Sequence, residues 1–600
     1  MIIAKSKITS KKSGNGGYKS MWIYIPSKIY KNDSFPFKEN EEVLIEIEDN
    51  SIIISKNDEK SKILKDFGIE NATLPKLLEI KASVNKDRPF LHFKDQIFSF
   101  LDMNRRSNQI AHGIINIVNE FELKNPKIAV LMNNCPEYLF SWFGLAKAGC
   151  FFVPIDKTLK SDLIEYVLNN SDTEILILDY EFFSVFELVS PNLSRIKRVL
   201  IRNAPRDFNY STLYQPFEAL ITSNLENPKI NIHDQDPVGI QYTEGSTGKP
   251  KGVVYRNIVL GGINLGFELR ELGLKAGSKI YCSGSLSHAS THFYTILPSL
   301  FYDNSVIITE KFDPSTFWDD IENYKPTHFS YFGGYLTELL FQKPKNRVHT
   351  IEFAYGFGAK VDTWNAFEKR FGVRLIEFWS HVEGVGVSIN KVGSNGGKLG
   401  SIGKPLEFID MRIVDQERNE LPPGPDNVGE IAVRRKSQTL FEYYKEPENG
   451  EVEVGENGWV YTGDYGYMDF EGFFYFKGKK DDFILVGGEH IFARDIENVA
   501  NSHPHIVETA VVSVLNGTNS RKDSIITVVK VKEKAITHQE FSDFLYHNLA
   551  YYHVPRFIEF RDKIPKGPST EILKSVLKKE WNENRSKNSI WDTQIKDFLK

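Results

Sequence analysis

The segment Tyr242–Gly252, YTEGSTGKPKG, constrains the fold of this chain more than any other stretch. It brings three glycines, three small hydroxyl residues and two lysines together at the end of the apolar, strand-like run VGIQY. Glycine lets backbone N–H groups approach an anion closely, hydroxyl groups add donors and lysine adds positive charge. The segment therefore predicts a polyphosphate-binding loop at the end of a strand. It is not a Walker loop, because only two residues separate Gly245 from Gly248 and Pro250 stands where that loop has Ser or Thr.

Six further motifs accompany this loop. They are FGLAKAGCFFVPID at 143–156, SLSHAS at 285–290, YGFGAK at 355–360, FWSHVEG at 378–384, WVYTGDYGYMDFEGFFYFKGKKDD at 459–482 and GGEHIFARDIEN at 487–498. In this order they resemble the AMP-forming adenylating superfamily of acyl-CoA synthetases, luciferases and peptide-synthetase adenylation domains, over about residues 70 to 580. The stretches EKFDPSTFW, FEKRFGVRLIEFW and YHVPRFIEFRDKIPK resemble the crotonobetaine/carnitine–CoA ligase branch.

The resemblance implies an ATP-dependent, AMP-forming acyl-CoA ligase that uses ATP, Mg²⁺ and coenzyme A. Such enzymes join a carboxylic acid to the α-phosphate of ATP with release of pyrophosphate, and the thiol of coenzyme A then displaces AMP. Two alternatives remain open at this point. One is a ligand-sensing regulator that binds nucleotide or acyl-CoA, and the other is an adenylating enzyme that passes the acyl group to a different acceptor.

The resemblance also assigns residues to subsites. The residues implied to bind ATP or AMP are Thr243, Ser246, Thr247, Gly248, Lys251, Gly358, Ala359, Trp379, Val382, Asp464 and Lys479. Those implied to be catalytic are Lys251, Glu383 and Lys574, and Glu383 is also the implied Mg²⁺ ligand. The two oxygens of Asp464 suit the two vicinal hydroxyls of a ribose.

Three further groups of residues are implied around these. The acyl pocket is assigned to His288, Tyr331 and Gly356, the interdomain hinge to Asp481, and the coenzyme A channel to Gly487 and Gly488. Aromatic residues at 292–294 and 331–335 would form a wall that receives a quaternary ammonium group. Plain core packing of these rings is the alternative.

Four positions depart from the family pattern. Val382 replaces a threonine that donates to the α-phosphate, Lys479 replaces an arginine near the ribose, and Glu244 replaces a small hydroxyl residue. In PKGPSTEILKSVLK at 565–578, Glu571 stands in place of the lysine that bridges the substrate carboxylate and the α-phosphate. A carboxylate there repels both anions, so slow adenylation is expected unless Lys574 or Lys566 reaches into the site.

The alternation of helical and short apolar segments predicts an α/β fold with parallel sheets. We expect an adenylation core at 67–477, made of βαβ subdomains and a β subdomain, and a mobile α+β C-terminal domain at 478–600. Residues 1–60 form a separate segment with seven lysines among the first 31 residues, followed by the alternating strands EEVLIEIED and SIIIS. This segment resembles the AbrB-like swapped-hairpin domain, which implies a homodimer. DNA contact by this domain is a weaker implication.

Composition fits an ordinary globular protein. Formal net charge is −5, which gives no reason to expect a nucleic-acid or membrane surface over the whole chain. The three cysteines are too far apart for a metal-binding CxxC pair and predict a reduced, cytoplasmic protein. Because no apolar run is long enough to span a bilayer and no signal peptide is visible, we expect no membrane anchor.

Overall fold

The computed structural model divides the chain into two compact units, Met1–Asn71 and Ala72–Lys600. The structure describes residues 8–12, 19–23, 43–48, 51–56 and 73–598, except 234, 244–248, 257–264, 267, 343–348, 385, 392–396, 436–441, 446–452, 456–457, 481–482, 487–488, 516–522, 532–535, 568–571, 584–589 and 594.

The strands, in chain order, are β1 Ile8–Lys12, β2 Lys19–Ile23, β3 Val43–Glu48, β4 Ser51–Lys56, β5 Pro89–Phe93, β6 Gln96–Ser99, β7 Lys127–Leu131, β8 Phe151–Pro154, β9 Ile175–Asp179, β10 Arg198–Arg202, β11 Tyr214–Pro216, β12 Pro237–Tyr242, β13 Gly252–Arg256, β14 Lys279–Cys282, β15 Ser305–Ile308, β16 His328–Phe332, β17 Phe353–Phe357, β18 Arg374–Ser380, β19 Val387–Asn390, β20 Lys404–Pro405, β21 Ile409–Val414, β22 Gly429–Arg435, β23 Glu442–Tyr443, β24 Glu453–Val454, β25 Val460–Met468, β26 Phe474–Lys479, β27 Phe483–Val486, β28 Glu489–Phe492, β29 Ile506–Leu515, β30 Asp523–Val531, β31 Phe557–Phe560, β32 Ile590–Asp592 and β33 Asp597–Phe598. The α-helices are α1 Leu74–Asn85, α2 Phe100–Glu120, α3 Pro136–Lys147, α4 Ser161–Asn170, α5 Phe183–Val189, α6 Ala289–Thr291, α7 Leu297–Phe301, α8 Phe317–Tyr324, α9 Gly333–Leu339, α10 Val361–Phe371, α11 Ala493–Asn501, α12 His538–Asn548 and α13 Lys574–Glu583, and a π-helical turn, His292–Ile296, joins α6 to α7.

The first unit contains two antiparallel hairpins, β1 with β2 and β3 with β4. Strands β3 and β4 lie where the apolar alternation predicted them. Strand β1 adds a strand within the lysine-rich start of the chain, where the sequence analysis predicted none. The resemblance of this unit to a swapped-hairpin domain stays a prediction.

Two large, mainly parallel sheets form the centre of the second unit. The first has the strand order β11-β10-β9-β7-β8-β12-β13-β23, and the second has the order β20-β19-β18-β17-β16-β14-β15-β5-β6. Their central strands are apolar runs with few charges, as in β9, ILILD, because helices cover both faces of a parallel sheet. The predicted α/β class is confirmed.

Local signals in the sequence set the limits of the helices. Helix α2 begins with a capping box, in which the Ser99 hydroxyl accepts from the Asp102 N–H at 3.0 Å and the Asp102 carboxylate accepts from the Ser99 N–H at 3.0 Å. Helix α10 ends at Gly372, whose φ of 70° is in the left-handed region that glycine adopts readily. These caps place the helix ends within the loops that the sequence pattern indicates.

A third sheet, β21-β22-β25-β24 with β26 paired to β25, packs where the two large sheets meet. One hydrophobic cluster joins all three, since it contains Val253 of β13, Trp379 of β18 and Val460 of β25. The ends of these strands are therefore held close together.

The C-terminal part of the second unit contains the hairpin β27–β28 and the sheet β29-β30-β31-β32-β33, with α11, α12 and α13 packed on it. Its strands and helices lie where the sequence predicted an α+β segment, and a boundary at 477/478 stays a prediction. Among the described residues, no helix combines the length and the apolar composition that crossing a membrane requires.

Candidate active site

The predicted phosphate loop lies between two antiparallel strands. Tyr242 at the end of β12 is opposite Gly252 at the start of β13. The Thr243 N–H donates to the Lys251 carbonyl at 2.9 Å, and the Lys251 N–H donates to the Thr243 hydroxyl at 3.1 Å. Both ends of the loop are thus held together at the edge of the junction between sheets. Residues 244–248, which include the predicted Ser246, Thr247 and Gly248 and the unusual Glu244, lie outside the described residues.

Two tyrosines connect this hairpin to the segment that carries Glu383. Tyr255 of β13 donates its hydroxyl hydrogen to the Val382 carbonyl at 2.7 Å. Tyr443 of β23, the neighbour of β13, donates to Glu383 Oε1 at 2.6 Å. The predicted metal ligand is therefore buried, with 6% of its surface exposed, and one of its oxygens is held in place.

The two carboxylate oxygens of Asp464 differ in their hydrogen bonding. Its Oδ2 accepts from Trp379 Nε1 at 2.7 Å and lies 3.1 Å from His381 Nε2. Within the described residues, its Oδ1 is buried and has no hydrogen-bond partner. Because buried acceptors in proteins are nearly always satisfied, this oxygen is suited to a hydroxyl group of a ligand.

His381 lies between the two carboxylates. Its Nε2 faces Asp464, and its Nδ1 is 3.6 Å from Glu383 Oε2. Burial disfavours the charged imidazolium, but the two carboxylates outweigh burial and raise the pKa of His381 to about 10. Burial likewise tends to raise the pKa of Asp464 and of Glu383, but the histidine lowers the pKa of both, helped by Lys479 and Trp379 at Asp464 and by Tyr443 at Glu383, so that each pKa is below its ordinary value.

A cavity of about 360 Å³ lies against Asp464. It is bounded by four residues predicted to bind the nucleotide, Gly358, Ala359, Trp379 and Asp464. The turn at Gly358 has a φ of 76°, which favours glycine, and brings backbone close to the cavity. The structure therefore brings the predicted adenine-bordering and ribose-binding residues to one place.

Glu377 of β18 lines this cavity and was not identified from the sequence. Its Oε1 accepts from the backbone N–H groups of Gly358 and of Ala359, and its Oε2 accepts from the Tyr331 hydroxyl at 2.7 Å. Burial raises the pKa of Glu377 to about 8, although these donors and Arg494 act in the opposite direction. A glutamate within the apolar strand RLIEFWS is the sequence signal that could have identified a buried, partnered carboxylate here.

The C-terminal part of the chain closes the other side of the cavity with Arg494, Glu497 and Lys574. Lys574 Nζ lies 3.0 Å from Glu497 Oε1. Lys566 instead pairs with Glu508 at 3.1 Å and with Glu338 of α9 at 3.5 Å. The sequence left open whether Lys574 or Lys566 reaches into the site. Of the two, Lys574 lies in the wall of the cavity. Glu571 lies outside the described residues.

The structure places the residues assigned to the acyl pocket among packed neighbours, and their assignment stays a prediction. Tyr331 is 1% exposed and packs in the hydrophobic core behind Glu377, so it does not present a surface to an acyl group. Gly356 is opposite Tyr331 between two paired strands, where a Cβ would come within 2.0 Å of the Tyr331 carbonyl oxygen. His288 caps a helix through Ser290, and its ring contacts Phe332 at 5.3 Å.

The predicted aromatic wall is largely core packing. His292 stacks on Trp142 at 4.1 Å, and Tyr294 packs against Phe357 at 4.9 Å and Phe378 at 5.7 Å. Burial lowers the pKa of His292 to about 3, so this ring is neutral. Tyr294, Phe357 and Phe378 belong to one hydrophobic cluster.

Two of the unusual positions are described. The Val382 side chain packs against the hydrophobic cluster at the sheet junction. Lys479 is opposite Asp464 in the β25–β26 pairing. Burial raises the pKa of Asp464, whereas His381 and, to a smaller extent, Lys479 lower it. The lysine therefore keeps a positive charge beside Asp464. The predicted hinge Asp481 and the predicted channel residues Gly487 and Gly488 lie outside the described residues.

The donor set suits Mg²⁺ only in company with phosphate oxygens. Among the described residues, no three His, Cys, Asp or Glu side chains are grouped to hold a metal ion. Mg²⁺ commonly binds through one or two carboxylates together with substrate phosphates. Glu383, whose Oε1 accepts from Tyr443 and whose Oε2 faces His381, is one carboxylate that fits that pattern.

Comparison with known proteins identifies two matching regions. Residues 78–444 match the AMP-binding enzyme family, and residues 495–570 match the AMP-binding enzyme C-terminal domain. The first match covers more than half of the chain, and the second lies in the part that carries α11, α12 and Lys566.

Among curated relatives, the crotonobetaine/carnitine–CoA ligase of Citrobacter koseri is 28% identical over 504 residues, which is 80% of this chain and 93% of that ligase. The ligase of the same name from Salmonella paratyphi B is 27% identical with the same coverage. Among solved structures, the anthranilate–CoA ligase AuaEII in complex with anthranoyl-AMP superposes with a TM-score of 0.75 at 22% identity, over 86% of this chain and 98% of that one. ATP-bound MatB from Rhodopseudomonas palustris superposes with a TM-score of 0.74 at 20% identity, over 86% and 99%. These structures share the fold described above.

Proposed function

The chain belongs to the family of AMP-binding enzymes, and on that premise we propose how its residues carry out the reaction of an AMP-forming acyl-CoA ligase. The reaction first joins a carboxylic acid to AMP and then transfers the acyl group to coenzyme A. The observation that carries the assignment of the nucleotide site is the unpartnered oxygen of Asp464 in a cavity bounded by Gly358, Ala359 and Trp379.

In the first half-reaction, a carboxylate oxygen of the acid forms a bond to the α-phosphorus of ATP, and the bond from that phosphorus to the pyrophosphate oxygen breaks. Asp464 holds the ribose, and the loop closed by Thr243 and Lys251 receives the departing phosphates, where fixed donors stabilise growing negative charge. Glu383 would hold Mg²⁺, which supplies charge neutralisation on the polyphosphate. In the second half-reaction, the sulfur of coenzyme A bonds to the acyl carbon, and AMP leaves.

We propose that Lys574 supplies the positive charge that Glu571 does not. Lys574 lies in the cavity wall and is paired with the buried Glu497. A buried carboxylate left without a partner is costly, so Lys574 can turn toward the phosphate only if Glu497 keeps another cation. Lys360 lies in the same cavity wall and interacts electrostatically with Glu497, and it fills that role.

The test compares the two lysines of the C-terminal segment. Purified protein is incubated with ATP, Mg²⁺, coenzyme A and a panel of carboxylic acids, and AMP, pyrophosphate and acyl-CoA are measured. We expect K574A to lower the adenylation rate roughly 10²-fold, the size of effect seen when one transition-state donor is removed. K566A is the matched control and should retain most of that rate. Thioester formation from a preformed acyl-adenylate should survive in both variants.

Equal adenylation rates for K574A and wild type would contradict the role of Lys574. AMP release that does not depend on coenzyme A, with acyl transfer to another acceptor, would favour the alternative adenylating enzyme. The regulator alternative has no support among the relatives, which are ligases. Only the absence of AMP formation with every acid in the panel would favour the regulator alternative.

For the acid itself, we propose a small carboxylate and place crotonobetaine and carnitine first in the panel, because the relatives of 27–28% identity carry those names. The packed rings near His292 and Tyr294 give no independent support for a quaternary ammonium group.

We also propose a cytoplasmic location, since ATP and coenzyme A are the substrates and Cys135, Cys150 and Cys282 are free and buried.

A homodimer formed through the N-terminal unit is a separate proposal. It is supported by the hairpins β1–β2 and β3–β4, whose strands are too few for an independently stable sheet. Light scattering of the full chain and of a chain lacking residues 1–60 tests it, since loss of the unit should halve the mass. A fall in mass no larger than that of the deleted residues contradicts the dimer, and a shift of labelled DNA by the full chain alone would show the DNA contact.

A further inference from the structure

We infer that His381 is a positioning residue that ties the ribose-binding carboxylate of Asp464 to the metal-binding carboxylate of Glu383. The inference rests on the proposed function of these two carboxylates and adds a link between them. Its consequence is that nucleotide binding and metal binding are coupled through one side chain.

The geometry assigns one ring nitrogen to each subsite. Nε2 of His381 is 3.1 Å from Asp464 Oδ2, and Nδ1 is 3.6 Å from Glu383 Oε2. The first distance is a hydrogen bond, and the second is an ionic contact slightly longer than one. The histidine side chain is only 15% exposed, so the contact is an internal feature of the site.

Neighbouring aromatic residues hold the imidazole ring and both carboxylates in place. Trp379 donates to the same Asp464 oxygen as His381 at 2.7 Å, and its ring contacts the imidazole with centroids 5.2 Å apart. On the other side, Tyr443 holds Glu383 Oε1 at 2.6 Å. The acceptor left for a ribose hydroxyl is Asp464 Oδ1, and the acceptor left for a metal ion is Glu383 Oε2.

The contact with His381 offsets the cost of keeping two carboxylates buried close together. Two buried carboxylates repel each other, and each is costly to keep in a protein interior without a donor. A ring that presents a nitrogen to both removes that cost and sets the distance between them. Because neither carboxylate can turn without losing its contact to the shared ring, movement at one subsite changes the other. Val382 makes this contact more important, since the side chain next to His381 contributes no hydroxyl donor.

Two isosteric replacements separate the two halves of the link. The amide nitrogen of glutamine lies near the position of Nε2, and that of asparagine lies near the position of Nδ1. H381Q therefore keeps the donor to Asp464 and loses the contact with Glu383, whereas H381N does the reverse. H381A loses both contacts.

Binding is measured by calorimetry, with AMP and 2′-deoxy-AMP in the absence of metal, and with ATP across a range of Mg²⁺ concentrations. For H381Q we expect AMP affinity close to wild type and a Mg²⁺ requirement for ATP binding raised several-fold, because the contact that is lost is an ionic contact of 3.6 Å and not a full hydrogen bond. For H381N we expect AMP affinity lowered about tenfold, weaker discrimination against 2′-deoxy-AMP and a nearly normal Mg²⁺ requirement. H381A should show both losses.

Equal losses in H381Q and H381N, or wild-type behaviour in both, overturn the inference. If the His381 variants fail to fold, as judged by circular dichroism, D464N tests the link from its other end. A raised Mg²⁺ requirement for ATP binding in D464N supports the link, and a loss confined to AMP binding contradicts it. Failure of the wild-type protein to bind AMP would instead contradict the proposed function.

Discussion

Replacing Glu377 with glutamine should change the pH dependence of stability and leave the cavity wall intact. In the native protein, Glu377 accepts from the N–H groups of Gly358 and Ala359 and from the Tyr331 hydroxyl. The glutamine oxygen can accept from both N–H groups, and its amide can donate to the Tyr331 oxygen. That hydroxyl can then donate to the Ile376 carbonyl, which already lies 3.1 Å away. Every buried polar group therefore keeps a partner.

The magnitude follows from the pKa. Burial raises the pKa of Glu377 from its ordinary 4.5 to about 8, and one pKa unit corresponds to about 1.4 kcal/mol. A group whose pKa is raised by folding contributes stability that is complete below pH 4.5 and is lost as the pH rises through 8. Wild type should therefore lose about 2 kcal/mol of unfolding free energy between pH 6 and pH 8 from this group alone. E377Q has no such group and should not.

The assay is urea denaturation followed by tryptophan fluorescence at several pH values from 6 to 9. The quantity to compare is the difference in unfolding free energy between E377Q and wild type, because other titrating groups contribute equally to both. We expect this difference to grow in favour of E377Q as the pH rises. E322Q is the matched control, since Glu322 is exposed on α8.

Parallel stability curves for E377Q and wild type would refute the reasoning. That result would mean that Glu377 is ionised across the whole range, and that its donors and Arg494 outweigh burial. E377A separates the two effects further. It leaves the N–H groups of Gly358 and Ala359 unpaired and should be about 2–4 kcal/mol less stable than E377Q at every pH, because neither variant has the titrating carboxyl.

Three other substitutions follow from the same geometry. V382T should raise the adenylation rate by about tenfold or more, because it supplies the donor to the α-phosphate that the family has, and an unchanged rate in single-turnover assays would contradict this. G333A should weaken AMP binding at least about tenfold and lower thermal stability, since its Cβ would lie 1.9 Å from the Gly358 carbonyl oxygen and push the turn that borders the cavity. K479R should bind AMP several-fold more tightly in calorimetry, as a planar guanidinium can form two bonds beside Asp464, and weaker binding would show that the lysine geometry is specific.

Much of the core fold is predictable from local pattern. The runs KIAVL, ILILD and RVLIR are among the short apolar segments whose alternation with helical segments predicts parallel sheets, and they are β7, β9 and β10. Helix α2 covers residues whose apolar spacing and capping box predict it. Such features depend on residues close in sequence, because strands of a parallel sheet need apolar side chains on both faces and a helix needs its first N–H groups capped.

The composition of the nucleotide site was predictable in part. The motifs predicted that Gly358, Ala359, Trp379 and Asp464 belong together, and the structure places all four on one cavity. The assignment of Tyr331 to the acyl pocket stays a prediction, to which the structure adds no support. An aromatic residue beside a predicted pocket has the same sequence signature whether its ring faces the pocket or the core, and here Tyr331 is buried behind Glu377.

The sequence by itself determined the class of fold, the family and the residue types available for phosphate, ribose and metal. Only the tertiary structure decided which of them meet. His381 contacts a carboxylate 83 positions away in the chain, and Lys574 rather than Lys566 lies in the cavity wall. Spacing along a chain determines turns and faces, which are local, whereas partners of buried charges are selected by how distant elements pack and by the high cost of leaving a charge alone in the interior.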